Sequence, residues 1–519
     1  MKSYDSIIIG AGHNGLVAAA YLAKAGKRVL VLERRGIPGG TLVTEEFEGF
    51  KADMLESGTL RLDIIRALDL PRFGLKPRPA SDQSTFISLL GASHATSVTY
   101  NDHLVLDSDP AKAAESIKRF SARDAARWPE FLAFMSKATS FLEAAYRTRM
   151  PRLPQSESPA ESLSLAQLGL KLRSMGRKDM LNIIRALPMT AVEFVEEWFE
   201  SEQLKAAIAS LGIHGVTLGV MSAGTAFNLI HNWLNRGGPV NQHIGQAGQV
   251  TGALVESARA YGAEIRLNAE VSCIKVEGGR AKGVALANGE EIAAQSILSA
   301  VDPKRTFLSL VGPMELPPTF VWNVQSIKMR GSLAKVHLGV ESLPDGMTPY
   351  STYAVAPSLR YLEKAYDAAK YGEISEKPYI EVTTSDNVIS IHFQFAPYKL
   401  KNGNWDPSTM LKAGEERGKI ETLAVDTLAE HFPNLQSLIS NTKTITPLDL
   451  ETTYSLTEGD LNHGQLMLDQ FLFMRPVPGW SNHKTPIEGL YLCGSGVHAG
   501  GGISGASGRN AAKVVLKEK

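Results

Sequence analysis

The sequence contains little cysteine and no excess charge of either sign. Its two cysteines, Cys273 and Cys493, lie far apart and form neither a CxxC pair nor a spacing typical of metal sites. A disulfide framework, a dithiol redox centre and a metal site are therefore not predicted. Lys plus Arg and Asp plus Glu both number 54, so the sequence does not indicate the basic surface of a nucleic-acid-binding protein.

Long hydrophobic runs are also missing. No apolar run reaches the roughly 18 residues that span a bilayer, and a predicted strand begins so close to Met1 that no room is left for a signal peptide. These features predict a cytoplasmic protein. What remains is ordinary globular composition, with 44% hydrophobic and 21% charged residues in a chain of 519, which is long enough for more than one domain.

The N-terminal segment carries a dinucleotide-binding motif. The apolar run 7–9 precedes GAGHNG at 10–15, a helix is predicted from about 14 to 24, and the next strand ends at Glu33. The glycines of such a GxGxxG motif permit a tight turn, the approach of a pyrophosphate and close packing of the helix on the strand. Glu33 can accept hydrogen bonds from a ribose, and its charge disfavours the 2′-phosphate of NADP.

Two further glycine segments favour the same kind of ligand. Gly39 and Gly40 with Thr41 follow Glu33 closely, as in the extended fingerprint of FAD enzymes. Residues 489–512 read GLYLCGSGVHAGGGISGASGRNAA, between a predicted strand at 490–492 and a predicted helix at 511–516. A turn between a buried strand and a helix start collects backbone donors for an anionic ligand, and this one lacks the GK[ST] lysine of a triphosphate-binding loop.

The pattern of helices, strands and turns predicts that the chain alternates between a nucleotide-binding domain and a second domain. Residues 262–301 show strand-and-turn alternation, whereas the chain from about 110 to 225 reads as helical. The predicted division is 1–105, 226–301 and 481–519 for the nucleotide-binding domain, 106–225 for a helical insertion of the second domain, and 302–480 for the rest of that domain.

Five segments together resemble the phytoene desaturase-like flavoprotein superfamily, and within it the branch of pyridine nucleotide-disulphide oxidoreductase domain-containing proteins. They are GAGHNGLVAAAYLAKAGKRVLVLERR at 10–35, EEWFESEQLKAAIA at 196–209, VDPKRTFLSLVG at 301–312, LNHGQLMLDQFLFMRPVPGW at 461–480 and the stretch at 489–512. The resemblance implies an α/β fold in which a Rossmann-like FAD-binding domain of the GR2 type is interleaved with a mixed α+β substrate domain. Disulphide reduction is not predicted, because the chain lacks a CxxC and has no GxGxxG for a nicotinamide outside the glycine segments assigned to FAD.

The resemblance also implies which residues hold FAD. The carried-over residues are Gly10, Gly12, Gly15, Glu33, Arg34, Gly39, Gly40 and Thr41 in the first segment, Val271 in the middle strand region, and Gly494, Ser495, Gly501, Gly502, Ile503 and Gly505 in the last. One departure concerns Ala499, where the family typically has proline. The closing loop is therefore expected to be less stiff than in the family, and proline at this position is expected to stiffen it.

Candidate catalytic groups are less well defined. His463, near Asp469 and Arg475, is a candidate general base, and His498 lies inside the predicted flavin loop. A histidine is also often only a hydrogen-bonded structural residue. Tyr454 is a weaker candidate. Residues 163–188 read as a basic amphipathic helix, which predicts either peripheral contact with a membrane or a solvated helix that covers the substrate domain.

The leading hypothesis is an FAD-dependent oxidoreductase that transfers a hydride from an apolar, isoprenoid or lipid-like substrate to flavin N5, giving desaturation or isomerisation at a CH–CH group. The reduced flavin would pass its electrons to oxygen, a quinone or another carrier, since no nicotinamide site is visible. Two alternatives remain open. One is a binding protein of the GDP-dissociation-inhibitor type, against which the retained flavin glycines count, and the other is an FAD amine oxidase with an aromatic cage at the flavin.

Overall fold

The computed structural model of the protein describes residues 4–54, 60–76, 85–90, 103–148, 150–151, 159–240, 245–401, 405 and 413–517. Its strands are β1 (Tyr4–Ile9), β2 (Val29–Leu32), β3 (Thr44–Phe47), β4 (Phe50–Asp53), β5 (Phe86–Leu89), β6 (Leu104–Leu106), β7 (Glu264–Arg266), β8 (Val271–Glu277), β9 (Arg280–Leu286), β10 (Glu291–Ser299), β11 (Leu333–Val340), β12 (Thr352–Val355), β13 (Ile380–Thr384), β14 (Val388–Gln394), β15 (Ile439–Ile445) and β16 (Leu490–Leu492).

The α-helices connect and cover these strands. They are α1 (His13–Lys24), α2 (Leu62–Ala67), α3 (Pro110–Lys118), α4 (Ala122–Arg147), α5 (Pro159–Ser174), α6 (Arg177–Ala186), α7 (Ala191–Trp198), α8 (Glu202–Ala209), α9 (Thr225–Arg236), α10 (Ala247–Ala260), α11 (Pro318–Gln325), α12 (Leu359–Lys370), α13 (Ala413–Ala429), α14 (Leu435–Leu438), α15 (Pro447–Tyr454) and α16 (Ala506–Lys517).

The first sheet contains the predicted nucleotide-binding βαβ unit. Its strand order is β7-β2-β1-β10-β9-β8, and β16 pairs with β10. The four central pairings of β7, β2, β1, β10 and β16 are parallel, and β1 is buried on both faces, with Ile7 and Ile8 fully inaccessible. A continuous apolar run is typical of such a doubly covered parallel strand. The carboxyl ends of β1 and β16 therefore deliver both glycine-rich segments to the same edge of the sheet.

The second sheet draws on distant parts of the chain. Its order is β15-β11-β14-β13-β12-β5-β6, antiparallel except for the parallel pair of β5 and β12. The predicted domain boundary at residue 105 does not match the observed sheets. Strands β5 and β6 precede or span that boundary, but they belong to the second sheet and not to the nucleotide-binding sheet. The physical reason is that Ile87 and Leu89 of β5 complete the apolar core formed by β11 to β14, a long-range pairing that local pattern does not reveal.

Helices α3 to α9 form the helical insertion around an aromatic-rich core. Trp128 and Phe131 of α4 pack against Phe199 and Trp233. Because Trp233 lies on α9, this helix belongs to the insertion, and the structure continues the insertion past the predicted boundary at residue 225. The closing helix also starts earlier than predicted, since α16 begins at Ala506.

The predicted basic helix of residues 163–188 is two helices, α5 and α6, separated at Gly176, whose φ is +91°. Several of its basic side chains contact the protein rather than solvent alone. Lys171 donates to the Ser140 carbonyl, and Arg185 pairs with Glu197. These contacts hold α5 against α4 and α6 against α7. Within the described ranges, no helix combines the length and apolarity needed to cross a bilayer.

Candidate active site

A cavity of about 370 Å³ lies between the two sheets and the helical insertion. The predicted residues Gly10, Gly12, Gly15, Glu33, Arg34, Gly39, Gly40, Thr41, Val271, Ser495, Gly502, Ile503 and His463 all line it. The three predicted FAD segments, which are separated by hundreds of residues in sequence, therefore meet at one site. Predicted residues outside the described lining are Gly494, Gly501, Gly505 and His498.

The first glycine motif places the start of α1 against the cavity. Gly12 is the N-cap of α1 and has no capping side chain, so the first backbone N–H groups of the helix are available to a ligand. Gly10 has φ +94°, and a Cβ on Gly15 would lie 2.2 Å from the Gly10 carbonyl oxygen. A Cβ on Gly12 would meet no atom within 4 Å. Gly10 and Gly15 are thus needed by the fold, whereas Gly12 leaves space for a ligand.

Glu33 is held in a fixed position at the end of β2. Its Oε2 accepts a hydrogen bond from the backbone N–H of Ala11 at 2.8 Å, and its Oε1 accepts from the N–H of Arg35 at 2.9 Å. A carboxylate has about four lone-pair sites, so these two bonds orient the group and leave acceptor capacity toward the cavity. The arrangement fits the predicted contact with a ribose hydroxyl.

The second glycine pair lies beside the first. The N–H of Gly39 donates to the Ala11 carbonyl at 2.8 Å, which joins the two glycine turns. Arg34 lines the cavity, but its Nη2 donates to the carbonyls of Thr452 and Thr453 at 2.7 Å each. Its guanidinium is therefore engaged with the end of α15, and only the remainder of the residue faces the cavity.

Some of the C-terminal glycines line the cavity, and others pack against the protein interior. Ser495 and Gly502 line the cavity, while a Cβ on Gly494 would lie 2.5 Å from the Ala300 carbonyl oxygen. Gly505 has φ +70° and packs close to Leu60. Gly494 and Gly505 therefore allow the loop to pack closely on the protein interior and do not line the cavity.

Asn14 connects the first and last segments. Its Nδ2 donates to Ser495 Oγ at 3.2 Å, and its Oδ1 accepts from the N–H of Gly508 at 3.4 Å. A Cβ on Gly508 would lie 2.0 Å from the Asn14 carbonyl oxygen, so α1 and α16 pack in direct backbone contact. These contacts fix the relative position of the two glycine segments.

The expectation for Ala499 is corrected by the backbone. Ala499 is buried and has φ +66°. Proline fixes φ near −65°, so proline cannot adopt this conformation and would distort the loop rather than stiffen it.

His463 lines the cavity and has one unsatisfied ring nitrogen. Its Nδ1 is buried and has no hydrogen-bond partner among the described residues. Burial lowers the pKa of His463 to about 4, although the charge of Asp302 opposes the shift. His13, which also lines the cavity, has a pKa lowered to about 4 by burial and then by the proximity of His463. Both imidazoles are consequently neutral near neutral pH.

His498 occupies a different environment. Its Nε2 lies 3.1 Å from the carbonyl oxygens of both Ala145 and Thr148, at the end of α4. An imidazole N–H between two carbonyls anchors the C-terminal loop to the helical insertion. The weaker candidate Tyr454 lines the cavity, and its hydroxyl donates to Glu45 Oε1 at 2.7 Å.

Arg475 joins the segment of His463 to the C-terminal loop. Its guanidinium is fully buried and donates to the carbonyls of Ser495, Gly464, Gln470 and Asn462. Burial lowers its pKa to about 10. In the sequence, Arg475 is noticeable only as a neighbour of His463. No local pattern indicates that the partners of its side chain are four backbone carbonyls.

Several cavity residues were not predicted at all. They are His13, His214, Asn232, Asn235, Arg236 and Arg305. His13 stands inside the GxGxxG motif at a variable position, and a buried histidine there could have been noticed. The others come from α9, from the turn before it and from the helical turn after β10, and their convergence depends on tertiary structure alone.

The lining fits a large polar cofactor. Buried polar atoms without a hydrogen-bond partner in the described structure include His13 Nε2, Arg305 Nε, Ser455 Oγ and His463 Nδ1. Leaving such groups unsatisfied costs about 1–3 kcal/mol each, so their concentration along one cavity indicates a ligand rich in hydrogen-bonding atoms. Together with the open space at Gly12 and the free start of α1, they fit the pyrophosphate, ribityl chain and ring of FAD.

The fold and the site define an oxidoreductase of the FAD-binding class. The chain belongs to the family described as flavin containing amine oxidoreductase, whose model matches residues 15–366. The predicted cofactor, FAD, is confirmed by this membership. The predicted resemblance is confirmed as well, since the matching relatives include both types of protein that it named.

Two relatives and one solved structure are similar to the chain over nearly its whole length. The rat pyridine nucleotide-disulfide oxidoreductase domain-containing protein 2 is 32% identical, and the match covers 99% of this chain and 94% of that protein. The lycopene-forming phytoene desaturase of Pseudescherichia vulneris is 24% identical over 99% of each chain. A solved oxidoreductase from Methanosarcina mazei has a TM-score of 0.58 at 16% identity, covering all of both chains. This structural likeness confirms the predicted fold class.

Proposed function

We propose that the protein is an FAD-dependent oxidoreductase that removes a hydride and a proton from a CH–CH group of an organic substrate, which gives desaturation, or isomerisation if the hydride is returned to the substrate. The observation that carries the proposal is the position of His463 at the cavity formed by the three FAD segments. Bound FAD supplies a hydride acceptor at N5. The similarity to a phytoene desaturase over nearly the whole chain supports a CH–CH substrate.

The role we assign to His463 is to hold a proton acceptor, Nδ1, beside the substrate. Its lowered pKa of about 4 keeps the ring neutral, so the nitrogen lone pair is available. Arg475 positions the ring indirectly by binding the carbonyls of Asn462 and Gly464 on either side of it. The buried walls of the site exclude water from the position where the substrate proton leaves.

Among the alternatives, the amine oxidase has less support from the lining. Of the described lining residues Tyr454 is the only tyrosine, phenylalanine or tryptophan, and its hydroxyl is bound to Glu45. A single engaged ring does not form the cage that this alternative requires. The binding-protein alternative does not explain why buried unsatisfied nitrogens such as His463 Nδ1 surround the cavity.

The test is anaerobic mixing of the FAD-loaded protein with lipids, carotenoids and amines, with flavin bleaching as the readout. We expect bleaching by substrates with oxidisable CH–CH groups, and bleaching by amines alone would contradict the proposal. For His463→Gln we expect the bleaching rate to fall about 100-fold or more at unchanged FAD content. The matched variant His498→Gln should lower thermal stability and leave the bleaching rate of the folded protein intact.

The electron acceptor and a membrane contact extend the proposal. We propose oxygen or a quinone as the acceptor, because the one other GxGxxG pattern, at 500–505, belongs to the closing segment of the flavin cavity and leaves no separate motif for a nicotinamide. The helices α5 and α6 expose Leu163, Leu170, Leu181 and Ile184 at 59%, 65%, 50% and 48%, which supports peripheral insertion into a lipid surface. Co-sedimentation with phosphatidylglycerol vesicles should be lost in Leu170→Glu, and equal binding by both proteins would contradict the membrane contact.

A further inference from the structure

The cations of the cavity wall are all arginines. The described lining contains no lysine and four arginines, namely Arg34, Arg35, Arg236 and Arg305. Three of them are already engaged with protein acceptors. The guanidinium of Arg34 binds backbone carbonyls at the end of α15, and Arg35 pairs with Glu45 at 2.5 Å. Arg236 pairs with Glu381 at 2.7 Å.

Arg305 has no partner of this kind. Among the described residues its guanidinium forms neither a hydrogen bond nor an ion pair. Its Nε is buried, whereas its two Nη atoms remain accessible in a half-buried side chain. The nearest carboxylate in the sequence, Asp302, accepts from the backbone N–H of Arg305 at 2.9 Å and from the Thr457 hydroxyl at 2.8 Å. A guanidinium left without a carboxylate at a cavity wall indicates an anionic ligand.

The turn that carries Arg305 lies between β8 and the first glycine motif. It is a π-helical turn that begins at Arg305, an irregularity that is frequent at functional sites. Leu310 of this turn belongs to the same apolar cluster as Val271 of β8, a predicted FAD contact. On the other side, Val301 Cγ1 would lie 3.6 Å from a Cβ on Gly10. The turn therefore adjoins the glycines that precede the start of α1.

His463 gives a second indication of where the guanidinium lies. Burial is the largest cause of the low pKa of His463, Asp302 opposes it, and the positive charges of Arg475 and Arg305 lower it further. His463 in turn lowers the pKa of His13, the first residue of α1, in addition to burial. Arg305 and the start of α1 are therefore within electrostatic reach of the same imidazole, so both can contact one ligand in the cavity.

We propose that Arg305 is a further cofactor-binding residue, whose guanidinium binds the pyrophosphate of FAD together with the start of α1. The pyrophosphate is the only part of FAD that is charged near neutral pH. The start of a helix offers a positive charge of only about half a unit, and the other three arginines of the described lining are engaged. The assignment concerns the cofactor alone and does not depend on the bond that the flavin oxidises.

Dilution of the FAD-loaded protein measures the contact without turnover, because the fluorescence of the released flavin gives the Kd. We expect Arg305→Gln to raise the Kd of FAD about 10- to 100-fold, as for the loss of charge-assisted hydrogen bonds. Arg305→Lys keeps the charge but not the forked donor and should recover part of the loss. An unchanged Kd in Arg305→Gln overturns the proposal and leaves the guanidinium for an anionic substrate.

Lys304 provides the matched control. It precedes Arg305 in the sequence, carries the same charge and lies outside the described lining of the cavity. Because exposed charges beyond contact distance are screened by salt, Lys304→Gln should leave the Kd of FAD within about twofold. If Lys304→Gln and Arg305→Gln raise the Kd equally, the effect is one of net charge, and the contact is refuted.

Competition separates a contact with the pyrophosphate from a deformed cavity. ADP carries a pyrophosphate and adenosine does not, so the ratio of the concentrations that displace FAD reports the pyrophosphate contacts. We expect Arg305→Gln to reduce the advantage of ADP over adenosine about tenfold. A deformed cavity would weaken both competitors equally and leave the ratio unchanged, and that result overturns the proposal.

Discussion

The two walls of the cavity are built in different ways. On the flavin side the wall is mostly backbone, and Gly12 leaves open space there. On the side of the second sheet the wall is made by buried side chains, above all the pair of Arg236 and Glu381. The first wall is suited to a cofactor of fixed shape that many proteins share. The second, which we call the second-sheet wall, is formed by charged and polar side chains from distant parts of the chain, so a single substitution there leaves a buried partner unsatisfied.

The largest effect is expected from breaking the ion pair of the second-sheet wall. Glu381→Ala leaves Arg236 charged and buried without its carboxylate, so we expect the free energy of unfolding to fall by about 3–5 kcal/mol. Chemical denaturation of the FAD-loaded variant measures the change. The double variant Arg236→Met, Glu381→Leu removes both charges and should recover most of the stability. If the single variant were as stable as the original protein, the pair would contribute nothing to this wall.

The corresponding change in the flavin wall should separate binding from folding. Gly12 has φ −67°, which alanine tolerates, and an added Cβ would enter open space within the cavity. We expect Gly12→Ala to weaken FAD binding about 100-fold, or about 2.7 kcal/mol, while the apoprotein keeps its melting temperature. Fluorescence titration with FAD and calorimetry of the apoprotein measure the two quantities.

Gly252 provides the control for that substitution. It lies within α10, and a Cβ there would also meet no atom within 4 Å. Gly252→Ala should raise stability by about 0.5–1 kcal/mol, as expected for a glycine inside a helix, and should leave the FAD affinity unchanged. Equal FAD affinity in both variants would show that Gly12 does not face the cofactor.

Acid should destabilise the protein through its buried neutral histidines. The pKa of His498 is lowered to about 3 by burial, from an ordinary value of 6.5. Below pH 6.5 the unfolded chain binds a proton at this residue and the folded chain does not. The stability contributed above that pH is therefore lost as the pH falls toward the folded pKa, at about 1.4 kcal/mol per pH unit for one such group.

His498→Gln isolates this contribution because His498 lies outside the described lining of the cavity. Between pH 6.5 and 4.5 the variant should show a shallower decline in unfolding free energy than the original protein, by about 1 kcal/mol per unit. The pH range of the experiment ends at 4.5, the ordinary pKa of glutamate. Below that pH Glu381, whose pKa is held at about 2, would add its own decline in unfolding free energy. If the pH profiles of the two proteins were parallel, His498 would not contribute to the loss of stability in acid.

The sequence predicts the flavin wall better than the second-sheet wall for a physical reason. Gly10, Gly12 and Glu33 lie within one βαβ unit, so their spacing alone reports the geometry that the cofactor needs. Arg236 and Glu381 are 145 residues apart and meet only because α9 packs on β13. Strand alternation predicts that one face of β14 differs from the other, but not that its polar face is buried. The same dependence on long-range pairing explains the shifted boundaries at β5 and α9.

The smallest expected effect concerns the flavin loop at Ala499. Its φ of +66° is a left-handed conformation that glycine adopts without strain. Ala499→Gly should therefore stabilise the loop by up to about 1 kcal/mol without changing the FAD affinity, whereas Ala499→Pro should lower both, since proline cannot reach a positive φ. Calorimetry and FAD titration of the two variants compare them directly. A proline variant with unchanged stability and affinity would show that the loop accepts a negative φ at this position, and the requirement for a left-handed residue at 499 would then be wrong.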